Sequence, residues 1–181
     1  MPKTLTTTFM LLIIFLAPTY ASAAKSPDAK LVNRHTVQVA HYAPPAVKKM
    51  VRAANRISNK PYLWGGGHGS FNSRGYDCSG AVSYVLRAGG FLKSSLTSGS
   101  LASWGKRGTS RWFTVYANSG HTFMKIAGIR FDTGYLTDGD KSGPGWSLSP
   151  RPQRGFAVRS LKLTSKKQEQ SSSGGLSPGQ R

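Results

Sequence analysis

The chain contains a single cysteine, Cys78, and only six acidic residues against 25 lysines and arginines among its 181 residues. One cysteine excludes an internal disulfide, so the thiol is free, cross-links a partner, or works as a nucleophile. The shortage of carboxylates leaves a formal net charge of +19, a field that draws the protein toward polyanions in general. The bases are spread along the chain rather than gathered on one helix or interleaved with aromatics, which argues against nucleic-acid recognition. For most of them a solvated face is the expected role, with surface attraction as a by-product. No two of the Cys, His and acidic residues show zinc-ligand spacing, so no metal is expected; acyl transfer by a cysteine would need no cofactor. Beyond the N-terminal segment no apolar run is a transmembrane candidate, and no internal repeat is visible.

What is present first is an export layout. Lys3 gives a basic start, Phe9 to Ala17 an apolar stretch, and Ala21-Ser22-Ala23 a small-residue cleavage site, which predicts a signal peptide over residues 1–23. The apolar run is too short for a settled transmembrane helix, and no cysteine near the cleavage site offers a lipid anchor. The expected location is therefore the periplasm or the extracellular cell wall, where the nearest polyanions are envelope polymers. Residues 24–43 read as a polar, irregular arm with a short strand at Thr36–Val39. One folded domain is expected over 44–163. Residues 164–181, rich in Ser, Gly, Gln and Lys with almost nothing apolar, read as a disordered tail.

Within the domain, Pro44-Pro45 opens a helix whose apolar stripe is Ala46, Val47, Met50, Val51, Ala54 and Ile57. A loop rich in Gly, Ser and Asn spans Pro61 to Gly75. Ala81, Val82, Val85 and Leu86 fall at helical spacing and Gly89-Gly90 supply a stop, which predicts a helix over Cys78 to Ala88. Ser94 to Trp104 is ambiguous and reads as a loop with a short helix. From Trp112 the texture turns to strand: Trp112–Tyr116, the turn Asn118-Ser119-Gly120, Thr122–Ala127, Gly128, then Ile129–Asp132, and a last run over Arg154–Ser160. Helices first and antiparallel strands after predict an α+β domain, with the cysteine helix packed on a small sheet.

Asp77 or Ser79 can cap that helix, leaving the Cys78 sulfur in its first turn. Unpaired amides and the positive end of the helix dipole there favour thiolate over thiol, and the thiolate is the attacking species. The plainer reading, a buried cysteine acting as a small apolar residue, fits poorly with such polar flanks. A cysteine nucleophile needs a base, and histidine is the natural one near neutral pH. His35 and His41 lie in the polar arm and read as structural or surface residues. His121 starts a strand after a turn, a rigid place for a base. His68 sits in the glycine loop, on flexible backbone, as a cleft contact. If Thr122–Ala127 and Ile129–Thr133 pair as a hairpin, Asp132 returns toward His121 to orient the imidazole, with Thr133 as the alternative; strand alternation lets only one of them face it. The competing reading of Asp132 is a turn residue ahead of Gly134.

Three blocks carry a family resemblance: Tyr62-Leu63-Trp64-Gly65-Gly66, then Gly75-Tyr76-Asp77-Cys78-Ser79-Gly80-Ala81-Val82, then Ser119-Gly120-His121 opening a strand. Over about Ala46 to Ser160 the chain resembles the NlpC family of papain-like cell-wall cysteine peptidases. The resemblance implies a papain-like fold and hydrolysis of amide bonds in peptidoglycan stem peptides, often between D-glutamate and a diamino acid. It also implies that Tyr62 lies beside the thiolate and that Asp77 and Ser79 help hold substrate; Trp64, within the first block, and His68, from the glycine loop, are the further expected substrate contacts. The family's third catalytic position is usually histidine, sometimes Asn or Gln. This chain has no histidine after His121, and Asp132 stands in the matching stretch. Two other readings stay open at this point: a non-catalytic basic module that binds the wall, and a related cysteine amidase cutting the sugar–peptide bond.

Overall fold

Pro44 and Pro45 open the first long helix, α1 (Pro45–Ile57), because a proline in the first turn forfeits no intrahelical hydrogen bond. Its stripe of Val47, Met50, Val51, Ala54 and Ile57 is buried against the rest of the core. The computed structural model describes residues 28–135 and 142–163; the expected signal peptide and Ser-Gly-rich tail lie outside them. Among the described residues no helix is long and apolar enough to cross a membrane.

The polar arm expected over 24–43 is in fact an ordered hairpin where it is described, β1 (Ala29–Asn33) paired antiparallel with β2 (Thr36–Val39). Its composition is polar, but Leu31 pairs with Val37, and Val37 is buried while Leu31 and Val39 pack against the core. Alternation on a two-residue period gave the strand pair its apolar face, a signal that mean polarity hides. Asn55 of α1 clasps the hairpin. Its Nδ2 donates to the Val37 carbonyl and its Oδ1 accepts from the Val37 amide, each at 3.0 Å. The same oxygen accepts from Trp146 Nε1 at 2.9 Å. His35 Nδ1 lies 2.6 Å from the Ser58 carbonyl oxygen, a structural contact on this side of the molecule.

The helix α2 (Cys78–Ala88) packs on α1 and on the sheet, burying Ala81, Val82, Val85 and Leu86. A one-turn helix, α3 (Ser98–Leu101), capped by Thr97, lies within Ser94–Trp104, the stretch read as a loop with a short helix. The six-stranded sheet comprises β3 (Lys106–Arg107), β4 (Phe113–Ala117), β5 (Thr122–Ile126), β6 (Ile129–Asp132), β7 (Gly145–Ser147) and β8 (Ala157–Ser160). Its order is β3-β8-β4-β5-β6-β7, with every pair antiparallel. β3 and β7 were not expected, since two or three residues are too few to show a period.

The turn between β5 and β6 sets the site's register. Ala127 and Gly128 both have positive φ, 49° and 90°, the backbone of a tight two-residue hairpin whose twist matches the strands. Ile126 then faces Ile129, Lys125 faces Arg130 and Met124 faces Phe131. Met124 and Phe131 point into the core. Alternation therefore turns Arg130 and Asp132 to the opposite face, the face shared by Phe123 and His121.

Candidate active site

Cys78 sits at the first position of α2, and Asp77 is the N-cap: its Oδ1 accepts from the Gly80 amide at 2.7 Å. The helix start is pressed onto the glycine loop, with the Asp77 amide donating to the Gly66 carbonyl at 3.3 Å. Gly80 is required for that approach, because a Cβ at this position would collide with the Gly66 carbonyl oxygen. Cys78 is partly exposed and is the free cysteine of the chain.

His121 stands one residue before β5, on a turn built by Asn118. Asn118 Oδ1 accepts from the amides of Gly120 and His121 at 2.9 and 2.8 Å. The imidazole makes two side-chain hydrogen bonds, one to Cys78 and one to Asp132. Nε2 lies 2.9 Å from Asp132 Oδ1, which leaves Nδ1 for the sulfur. Asp132 is fully buried, and its carboxylate is held at both oxygens. Oδ1 also accepts from the Gly134 amide at 3.0 Å. Oδ2 accepts from Arg130 Nη1 at 2.7 Å and Arg151 Nη1 at 3.1 Å. Thr133 is buried and receives no bond from His121, as strand alternation requires. Neither arginine was singled out from the sequence. Arg130 lies two residues before Asp132 on the same strand face, a legible signal; Arg151 arrives from a loop nineteen residues later and left none.

These contacts set the charge state. Burial alone pulls the His121 pKa down, but the hydrogen bonds to Asp132 and Cys78 and their negative charges outweigh it, pushing the pKa up to about 9. Burial by itself would raise Asp132; the hydrogen bond and charge of His121, the Gly134 amide and Arg151 hold it below the ordinary carboxylate value. At neutral pH the site therefore holds an imidazolium between a carboxylate and the sulfur. Because the folded His121 pKa lies above its unfolded value, the stability it contributes is full below about pH 6.5 and is lost as pH rises through 9. Asp132 contributes above its ordinary value and loses that contribution as pH falls through its depressed one. Urea unfolding midpoints should accordingly decline between pH 6.5 and 9.5 in the native chain and stay flat over that range in His121→Gln; a decline of equal size in both would show that His121 is not the titrating group.

A cleft of about 380 Å³ runs over the sulfur, lined by Tyr62, Trp64, Gly65, His68, Asp77, Cys78, Ser79, Thr97, Ser98, Ser119, Gly120 and His121. It brings together every residue singled out for the site in the sequence apart from Asp132, which is bonded to His121, and Thr133, which is buried. Thr97 and Ser98, from the Ser94–Trp104 loop and its short helix, are additional walls. None of the hairpin β1–β2 lines the cleft. His68 differs from expectation: its ring is fixed rather than mobile. Nδ1 lies 3.1 Å from Ser95 Oγ, and Nε2 lies 3.1 Å from Asp77 Oδ1 and 3.0 Å from Ser79 Oγ. Among the described residues no three His, Cys, Asp or Glu side chains gather as ligands for a metal ion.

No family model matches the sequence, and no curated protein does. The fold is shared with solved structures. The peptidoglycan hydrolase RipB from Mycobacterium tuberculosis is 23% identical, with 67% of this chain and 70% of that one covered and a TM-score of 0.50. An NlpC/P60 family protein from Bacillus cereus ATCC 10987 is 16% identical, with 69% and 44% covered and a TM-score of 0.49. RipD from M. tuberculosis, a non-catalytic NlpC/p60 domain protein with an adaptation to peptidoglycan binding, is 17% identical, with 66% and 100% covered and a TM-score of 0.46. The α+β architecture expected from the sequence, a cysteine at the start of a helix packed on an antiparallel sheet, is the architecture observed.

Proposed function

We propose that the chain is an exported cysteine peptidase of the NlpC type that hydrolyses amide bonds in peptidoglycan stem peptides, with the bond between D-glutamate and the diamino acid as the preferred point of cleavage. The observation that carries this reading is the line Cys78–His121–Asp132, each joined to the next by a hydrogen bond, in a cleft with room for an extended peptide.

The chemistry is acyl transfer. The Cys78 thiolate attacks the amide carbonyl carbon, forming a C–S bond and an oxyanion. The Gly80 amide is already bonded to the Asp77 side chain and the Ala81 amide to the Asp77 carbonyl, so the first-turn amides of Cys78 and Ser79 are left to receive the oxyanion. The imidazolium of His121 gives its proton to the leaving nitrogen as the C–N bond breaks. Neutral His121 then takes a proton from water, whose oxygen attacks the thioester and frees the thiolate. Asp132, ionised throughout, keeps the ring oriented and stabilises its charged form. The basic surface would hold the protein near anionic envelope polymers.

Alkylation gives a direct test. One equivalent of iodoacetamide on Cys78 should stop the release of soluble fragments from purified peptidoglycan, and mass spectrometry of the untreated digest should show fragments ending at D-glutamate. Release that continues after complete alkylation would overturn the nucleophile assignment. Intact stem peptides freed from the sugar would instead assign the amidase reaction.

A further inference from the structure

A second cavity, of about 560 Å³, shares no residue with the cleft; Tyr42, Thr109, Ser110, Arg111, Trp112 and Lys162 are among its walls. The sheet places it far from the reacting sulfur. Trp112 precedes β4, and its carbonyl accepts from the Ala127 amide at 2.7 Å, at the end of β5 opposite His121. The rise along β5, ~3.3 Å per residue, puts about 20 Å between Trp112 and His121.

The floor is aromatic and its charge is positive. The Tyr42 and Trp112 rings lie 6.2 Å apart, and the Arg111 guanidinium sits 4.7 Å from the Trp112 ring centroid. Asp28 grips that guanidinium: Nε and Nη2 donate to its two oxygens at 3.2 and 2.8 Å, and the Tyr42 hydroxyl donates to Oδ1 at 3.0 Å. The planar fork that best fits a carboxylate is therefore filled by the chain's own. What the cavity offers a ligand is the Tyr42 ring, 42% exposed, the hydroxyls of Thr109 and Ser110, and the exposed Lys162. Lys106, also exposed, extends the charge along the sheet edge, opposite Ser160 and so two residues from Lys162. Among the described residues the only carboxylates are Asp28, Asp77 and Asp132, and neither lysine pairs with one. Ammonium groups act as point charges, which suits a tetrahedral phosphate, and an open aromatic face beside hydroxyls suits a sugar ring.

We propose that this cavity is a second binding site, for a phosphodiester-linked glycan, with a sugar ring on Tyr42 and phosphates against Lys162 and Lys106. An envelope polymer held there anchors the protein and leaves the cleft open. The site goes beyond the peptidase reading and does not depend on it; it gives the attraction of the basic surface one address.

Calorimetry on the full chain at physiological salt compares two probes. One is a short oligomer of N-acetylglucosamine joined by phosphodiesters, the other linear polyphosphate of equal charge. The native chain should bind the glycan oligomer at least about fivefold tighter than the polyphosphate, through the stacked ring. Tyr42→Ala should abolish that preference, and Tyr42→Phe, which keeps the ring, should retain it. Lys106→Gln combined with Lys162→Gln should weaken glycan binding at least about tenfold. Arg56→Gln combined with Lys60→Gln removes the same charge at the far end of α1, about 20 Å away and beyond the screening length, and should leave binding nearly unchanged. Equal affinity of the native chain for both probes, or equal losses in the two double variants, would overturn the site and leave unspecific attraction. Turnover of a soluble stem peptide should be native in Lys106→Gln combined with Lys162→Gln; a parallel loss there would also overturn it, by showing that the two sites are not separate. The binding measurement needs no catalysis, so its failure and that of the peptidase reading are read apart.

Discussion

Cys78→Ala should lower turnover of stem peptides by about 10⁴-fold or more, to whatever binding and the helix-start amides sustain alone. The reason is the division of labour along the site. The sulfur forms the covalent bond, and His121, bonded to it and to Asp132, moves the proton for that same sulfur. Residues that act as a unit are not additive, so Cys78→Ala combined with His121→Ala should be scarcely worse than either alone. Fragment release from purified peptidoglycan, quantified by chromatography, measures the loss. Circular dichroism should show a native fold, because Cys78 is partly exposed and sits at a helix end. Digestion by Cys78→Ala at a native rate would remove the chemistry proposed above and leave a wall-binding module as the better reading.

The second large effect belongs to Asp132. Its carboxylate is fully buried and is shared by His121, Arg130 and Arg151. Arg130 is itself buried, so Asp132→Ala leaves a guanidinium in the interior without its counter-charge. Breaking a buried pair in this way costs about 3–5 kcal/mol, large against the marginal stability of a domain this size. Asp132→Asn keeps the shape and one acceptor oxygen, and should lose less stability while still losing about 10²–10⁴-fold in kcat, because a neutral amide no longer stabilises the imidazolium. It should also bring the His121 pKa down from about 9, moving the alkaline limb of the rate profile to lower pH. Denaturant unfolding separates the two variants, and the pH–rate profile reads the imidazole. An unchanged alkaline limb in Asp132→Asn would show that Asp132 is a structural counter-ion only.

The contrast between Asp132 and His68 shows what kind of information a sequence carries. Asp132 can be weighed against Thr133 from local spacing alone, because a hairpin closed at Gly128 and a two-residue period put only one of them on the face of His121. His68 can be placed near the cleft by its neighbours in the chain, but not fixed. Its partner Ser95 lies 27 residues away, in a stretch without periodicity, and only packing brings the two together. The same holds for Arg151 and for the β1–β2 hairpin, whose docking depends on Asn55 and Trp146 at distant positions.

The sequence by itself determined the lone thiol, the helix that begins at it, the strand-end histidine and the α+β order of elements. Each of these is written in local spacing: a cap, an apolar stripe at helical period, a glycine turn. Tertiary structure alone decided that Arg151 reaches Asp132, that the N-terminal arm is a docked hairpin clear of the cleft, and that His68 lies against Asp77. Those contacts join segments with no common period, and their energies come from burial, where a charge or hydrogen bond must find its partner wherever the fold has placed it.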